Sequence, residues 1–246
     1  MRRTLAACLL LAFCVGAAFG QKTKWTDWSK KDVDKMLNDS PWGQTQTEGA
    51  KSQSSSSESS SAITQVAAPR AANRQMDRQG ESGEAKPSTL VKYHVRFLSA
   101  KPIRQAFARM VLLSQQSPND GLAEQLQGFV DRDFGDYIVV AITAEADDKR
   151  AAGMITQVFG AATAESLKSA AYLERKDGKR LSLMDYRAPA NDGMGAKFVF
   201  PRTLDGEPFL KADSDNVRFV FELNKNLKLN MRYKLSDMTY DCKLEY

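Results

Sequence analysis

The chain has 246 residues, 42% of them hydrophobic and 26% charged, with a formal net charge of +5. Arg2 and Arg3 supply two of those charges, so the chain beyond Gly20 carries +3 (5 minus 2), too weak a field to mark a nucleic-acid binder. Beyond Gly20 there is one histidine, His94, and one cysteine, Cys242, which excludes an internal disulfide and a His/Cys zinc site and leaves any histidine-based triad only His94 to build on.

Residues 1–20 read as a signal peptide: Arg2 and Arg3 form the basic start, Leu5 to Val15 the apolar run, and Ala18-Phe19-Gly20 the small-residue cleavage site. The run is shorter than the roughly 20 apolar residues a membrane-crossing helix needs. Cleavage after Gly20 and export to the periplasm or beyond are expected. In an oxidising compartment an odd cysteine is either buried or bridged to another chain, and burial is the expectation for Cys242.

Residues 21–42 hold all three tryptophans, Trp25, Trp28 and Trp42. On a helical wheel Trp25, Trp28, Val33, Met36 and Leu37 share one half, and Asp27, Lys31, Asp34 and Lys35 the other, with Asp32 intruding on the apolar side. Thr26 or Asp27 is the expected cap, and Pro41 ends the helix. Trp25-Thr26-Asp27-Trp28 leading to Met36-Leu37-Asn38-Asp39-Ser40-Pro41-Trp42 resembles the opening of a group of uncharacterised exported bacterial proteins, which carry a signal peptide, a Trp, a short helix and a Ser-Pro-Trp. The resemblance implies export and a bacterial source and assigns no activity.

Residues 43–88 read as a disordered linker, because the serine run from Ser52 to Ser61 and the Ala, Gln, Arg and Gly around it cannot offset the entropy of ordering. Such a linker reaches roughly 40 Å.

Residues 89–246 carry the pattern of a folded domain. Val91, Tyr93, Val95 and Phe97 alternate with Lys92, His94 and Arg96, the mark of a half-buried strand. Ile103, Phe107, Met110 and Val111 recur at helical spacing behind Pro102, and Leu122, Leu126, Phe129 and Val130 do so behind the capping letters Ser117 to Asp120. Tyr137 to Ile142 is apolar without alternation, as in a strand covered on both faces. A third helix is expected over Asp147 to Phe159, stopped by Gly160. Strands separated by turn signals follow, the clearest being a hairpin in which Val217, Phe219, Phe221 and Leu223 pair with Leu227, Leu229, Met231, Tyr233 and Leu235. Helices early and strands late predict an α+β domain, one antiparallel sheet with helices on one face.

Candidate chemistry is sparse. Asp131, Asp133 and Asp136, and the pair Asp213 and Asp215, lack calcium-loop spacing and fall where turns are expected. Arg218, Lys228, Arg232 and Lys234 form the polar face of the late hairpin, a candidate surface for an anionic ligand. No cofactor and no metal are implied. The expectation is a non-enzymatic interaction or structural protein of the bacterial envelope that docks through Trp25, Trp28, Met36, Leu37 and Trp42. The surface receiving that segment is either the protein's own domain or an envelope protein or membrane. A carboxylate-based hydrolase and a binding module for an anionic envelope ligand stand as alternatives.

Overall fold

The computed structural model describes residues 23–50, 89–115, 120–224 and 227–246. The expected signal peptide, and the expected linker from residue 51 onward, lie outside the described residues.

A 3-10 turn, Trp25–Asp27, leads into α1, Lys30–Asn38. Its cap is Ser29, not Thr26 or Asp27: the Ser29 side chain accepts from the Asp32 amide while the Asp32 carboxylate accepts from the Ser29 amide. That reciprocal pair explains Asp32's place on the apolar half of the wheel, since an acid at the third helical position closes a capping box. Trp25 and Trp28 consequently lie before the helix.

β1, Gly43–Ala50, corrects the sequence reading, which placed these residues in a linker. It pairs antiparallel with β2, Thr89–Phe97, over eight residue pairs from Gly43↔Arg96 to Ala50↔Thr89. The pattern Gln-Thr-Gln-Thr alternates two polar types, so it carries no hydrophobic period to signal a strand. α2, Lys101–Ser114, and α3, Asp120–Val130, follow, and then β3, Tyr137–Ala146, which has both faces covered from Ile138 to Ile142 as expected. α4, Lys149–Ala161, is capped by Asp148 and runs one residue past Gly160. α5 is a single turn, Ala164–Leu167.

The remaining chain is strand: β4 (Ala171–Arg175), β5 (Arg180–Ser182), β6 (Asp185–Arg187), β7 (Ala196–Pro201), β8 (Thr203–Leu204), β9 (Glu207–Pro208), β10 (Asn216–Asn224), β11 (Leu227–Lys234), β12 (Thr239–Tyr240) and β13 (Lys243–Leu244). The α+β class holds, but the strands form two main sheets instead of one. The first has the order β1-β2-β3-β7-β6 and the second β11-β10-β4-β5, with β8-β9 and β12-β13 as small ribbons. Antiparallel pairing runs throughout.

The two main sheets pack face to face. Phe198 of β7 meets Phe219 and Phe221 of β10 edge-on at 5.6 and 5.1 Å, and Phe97 of β2 meets Tyr233 of β11 at 4.8 Å. The Tyr233 hydroxyl, fully buried, donates to the Val95 carbonyl at 2.9 Å, so this polar atom driven into the core has its partner. Helices lie in two places. α1 and α2 cover the other face of the first sheet, where the Arg96 guanidinium sits over the Phe107 ring. α4 inserts Phe159 between the sheets, stacked on Phe221 at 6.0 Å. No helix among the described residues is long and apolar enough to cross a membrane.

Candidate functional site

The five residues expected to dock are brought together, and what they dock on is the chain's own domain. Trp25, Trp28, Met36, Leu37 and Trp42 are all buried, Trp42 to 2% exposure. Trp25 Nε1 donates to Gln127 Oε1 of α3 at 3.0 Å, and Arg109 Nε of α2 donates to the Trp28 carbonyl at 2.7 Å. Trp42 Nε1 donates to the Glu245 carbonyl at 2.7 Å, and the Phe97 amide donates to the Trp42 carbonyl at 2.8 Å. Each buried indole stabilises the fold on the order of 2 to 3 kcal/mol. These side chains are therefore part of the core and present no outward docking surface.

Strand β1 adds a second attachment. Gln44, Gln46 and Glu48 share one face of β1, and the two glutamines reach the free edge of β11. Gln44 Nε2 donates to the Arg232 carbonyl at 2.8 Å; Gln46 Nε2 donates to the Lys228 carbonyl at 2.9 Å and its Oε1 accepts from the Asn230 amide at 3.2 Å. Glutamine amides thus stand in for a neighbouring strand along an edge that would otherwise expose unpaired backbone.

His94 and Arg96 correct the half-buried reading of β2, for both are buried on its polar side. His94 Nδ1 is 2.8 Å from the Thr45 hydroxyl of β1, while Nε2 makes no hydrogen bond among the described residues and stands 3.5 Å from Glu145 Oε1. Burial, then the neighbouring Arg96, hold the imidazole pKa below its ordinary value against the opposing pull of Glu145. Arg96 donates to the Leu37 carbonyl at 2.9 Å, Asn38 Oδ1 at 2.7 Å and the Thr143 hydroxyl at 2.8 Å, and burial lowers its pKa to about 10. Three neutral acceptors satisfy the cation, two of them at the C-terminus of α1, where helix carbonyls favour positive charge.

The carboxylates do not converge. Asp131 pairs with Lys101 at 2.8 Å and with Gln127 at 2.5 Å, Asp133 accepts from the Gly135 amide as in an Asx turn, and Asp136 is exposed. Asp215 pairs with Lys176 at 2.5 Å, and Asp213 is exposed in the same connection. Among the described residues no three His, Cys, Asp or Glu side chains stand where they would hold a metal ion. Cys242 is exposed, contrary to expectation: it occupies the β12-β13 turn beside Asp241, both at positive φ, and a tight turn leaves its side chain no core to enter. A cleft of about 290 Å³ lies between Arg175, Glu207, Phe209 and Lys211, where Arg175 pairs with Asp177 and Lys211 with Glu207.

Arg218, Lys228, Arg232 and Lys234 do share one surface, the outer face of the second sheet. Cross-strand register extends it: Arg180 of β5 lies opposite Glu174 of β4, Glu174 opposite Arg218 of β10, and Arg218 opposite Arg232 of β11. Glu174 is buried between two guanidiniums, accepting from Arg218 and from Arg180 (2.5 Å), and these bonds, Arg218 first, lower its carboxyl pKa. Lys228 pairs with Glu222, and Lys234 with Asp237 at 3.1 Å. Sequence reasoning missed Glu174 and Arg180, although they flank the Asp177-Gly178 turn at positions that a short hairpin sets opposite one another.

No family model and no curated protein matches the chain. A solved structure of a protein of unknown function from Burkholderia pseudomallei is similar over 57% of this chain and 72% of its own, at 8% identity and a TM-score of 0.37. A likeness at that level carries no argument about fold or activity.

Proposed function

We propose that this chain is an exported, non-enzymatic interaction or structural protein of the bacterial envelope, acting in the periplasm or outside the cell. The observation that carries the reading is the outer face of the second sheet: an open, polar surface of four strands held rigid by the aromatic core beneath it. Rigid sheets with one solvated face are suited to presenting side chains to a partner. Export is supported by the signal-like run from Arg2 to Gly20. The Trp-rich segment has an internal role in this reading, because its indoles are already removed from water by the domain.

Cell fractionation combined with intact-mass measurement tests the proposal. A form beginning at Gln21 in the periplasmic, envelope or culture fraction is the expected result. A cytoplasmic form that keeps Met1 to Gly20 would overturn it.

A further inference from the structure

We infer that the outer face of the second sheet binds a linear, carboxylate-bearing polymer along β11. The inference deepens the reading of an interaction protein by naming the chemistry of its partner.

Five cations point outward from this face, Arg180, Arg218, Lys228, Arg232 and Lys234, against three acids: Glu174 between Arg180 and Arg218, Glu222 paired with Lys228, and Asp237 paired with Lys234 just beyond the strand. Arg218 and Arg232 sit directly opposite one another on adjacent strands. Like charges in that position repel, and an anion lying over the pair relieves the repulsion. Arg218 has Glu174; Arg232, exposed at the outer strand, has no side-chain partner among the described residues. The face itself shows what such a site accepts, for Glu174 is a carboxylate clamped between guanidiniums from the strands on either side. Forked guanidiniums match planar carboxylates closely.

Two further features select a soluble linear polymer over a bilayer. Lys228, Arg232 and Lys234 lie on one side of a single extended strand, so their charges follow a line about 20 Å long at the rise of a β-strand. The exposed large apolar side chains, Leu90, Met110, Leu113, Tyr137, Met154, Val158 and Met184, all lie on other elements, and on this face the apolar Tyr172 and Val220 are half-buried, Tyr172 beneath the Arg180 guanidinium, so the face offers little to insert among acyl chains.

The test uses the purified protein with polygalacturonate as the probe, neutral dextran and phosphatidylglycerol vesicles as comparisons, and binding followed by titration calorimetry at low and high salt. The triple variant Lys228→Gln/Arg232→Gln/Lys234→Gln is set against Lys149→Gln/Arg150→Gln/Lys168→Gln, which removes equal charge from exposed positions on and after α4. Polygalacturonate should bind at low salt and weaken as salt rises, with affinity falling about tenfold in the first variant and little in the second. Equal losses in both variants would mean net charge alone is responsible and would overturn the inference. So would binding to the vesicles in place of the polymer, or no binding at low salt. Export with no polymer binding would leave the envelope reading standing; polymer binding by a chain that stays in the cytoplasm would sink the envelope reading alone.

Discussion

Arg96 Nε donates to the carbonyl oxygen of Leu37 at 2.9 Å, joining the end of α1 to a strand 59 residues further along the chain. The rest of the guanidinium bonds Asn38 and Thr143, and removing it would leave buried acceptors unpaired. Arg96→Met should therefore destabilise the protein by about 2 to 3 kcal/mol. Urea denaturation provides the measurement, and an unchanged midpoint would show that the clasp contributes nothing.

Because every tryptophan lies within residues 25–42, intrinsic tryptophan fluorescence reports on that segment alone. Burial of all three predicts blue-shifted emission from the isolated protein, with no partner present. Trp42→Ala should cost about 3 to 5 kcal/mol and lower the melting temperature of the whole domain, since the indole fills core space and bonds the Glu245 carbonyl. Water-like emission, or a Trp42→Ala variant as stable as wild type, would mean the segment does not pack as described.

His94 predicts a pH dependence of stability. Its pKa is depressed in the folded state, so between that value and the unfolded value of about 6.5 the unfolded chain binds more protons. The stability it contributes is complete above about pH 6.5 and is lost as pH falls through the folded pKa. Urea midpoints across that range should fall less steeply for His94→Gln, which keeps an amide to face Thr45. Parallel curves for the two proteins would assign the acid sensitivity to other groups.

Two glycines are required by close approach. A side chain at Gly43 would collide with the Leu37 carbonyl, and one at Gly195, where φ is +80°, with the Ile142 carbonyl. Gly43→Ala and Gly195→Ala should each destabilise by about 1 to 3 kcal/mol. Gly128→Ala, in α3 with open space around it, is the control and should be neutral or stabilising by about 0.5 to 1 kcal/mol. Thermal melts of the three variants would decide, and equal behaviour would refute the packing at both sites.

A specific protease site placed after Ser61 gives a fifth test. Cleavage there leaves β1 paired to β2 and the glutamines on the edge of β11. The nicked protein should migrate as one particle with its blue-shifted emission intact. Release of the N-terminal piece under native conditions would show that residues 89–246 fold independently of residues 23–50.

Elements whose burial follows a period were legible from the residues alone. β10 and β11 alternate Val217, Phe219 and Phe221 with polar neighbours against Leu229, Met231 and Tyr233, and the structure sets Phe219 opposite Met231 in that register. The unbroken apolar run of β3 likewise placed it in the middle of a sheet covered on both sides. The basic face could be read for the same reason, because a strand with one side in the core must send Arg218, Lys228, Arg232 and Lys234 to the other.

Tertiary structure alone decided the rest. Gly43–Ala50 became a strand because β2 offered an open edge and β11 offered backbone groups to Gln44 and Gln46, a gain that no local pattern of glutamine and threonine records. His94 and Arg96 alternate as solvent-facing residues should, yet both are buried, because α1 and β1 arrive from far earlier in the chain and supply acceptors for them. Local periodicity states which side chains point together; only long-range packing determines what covers them.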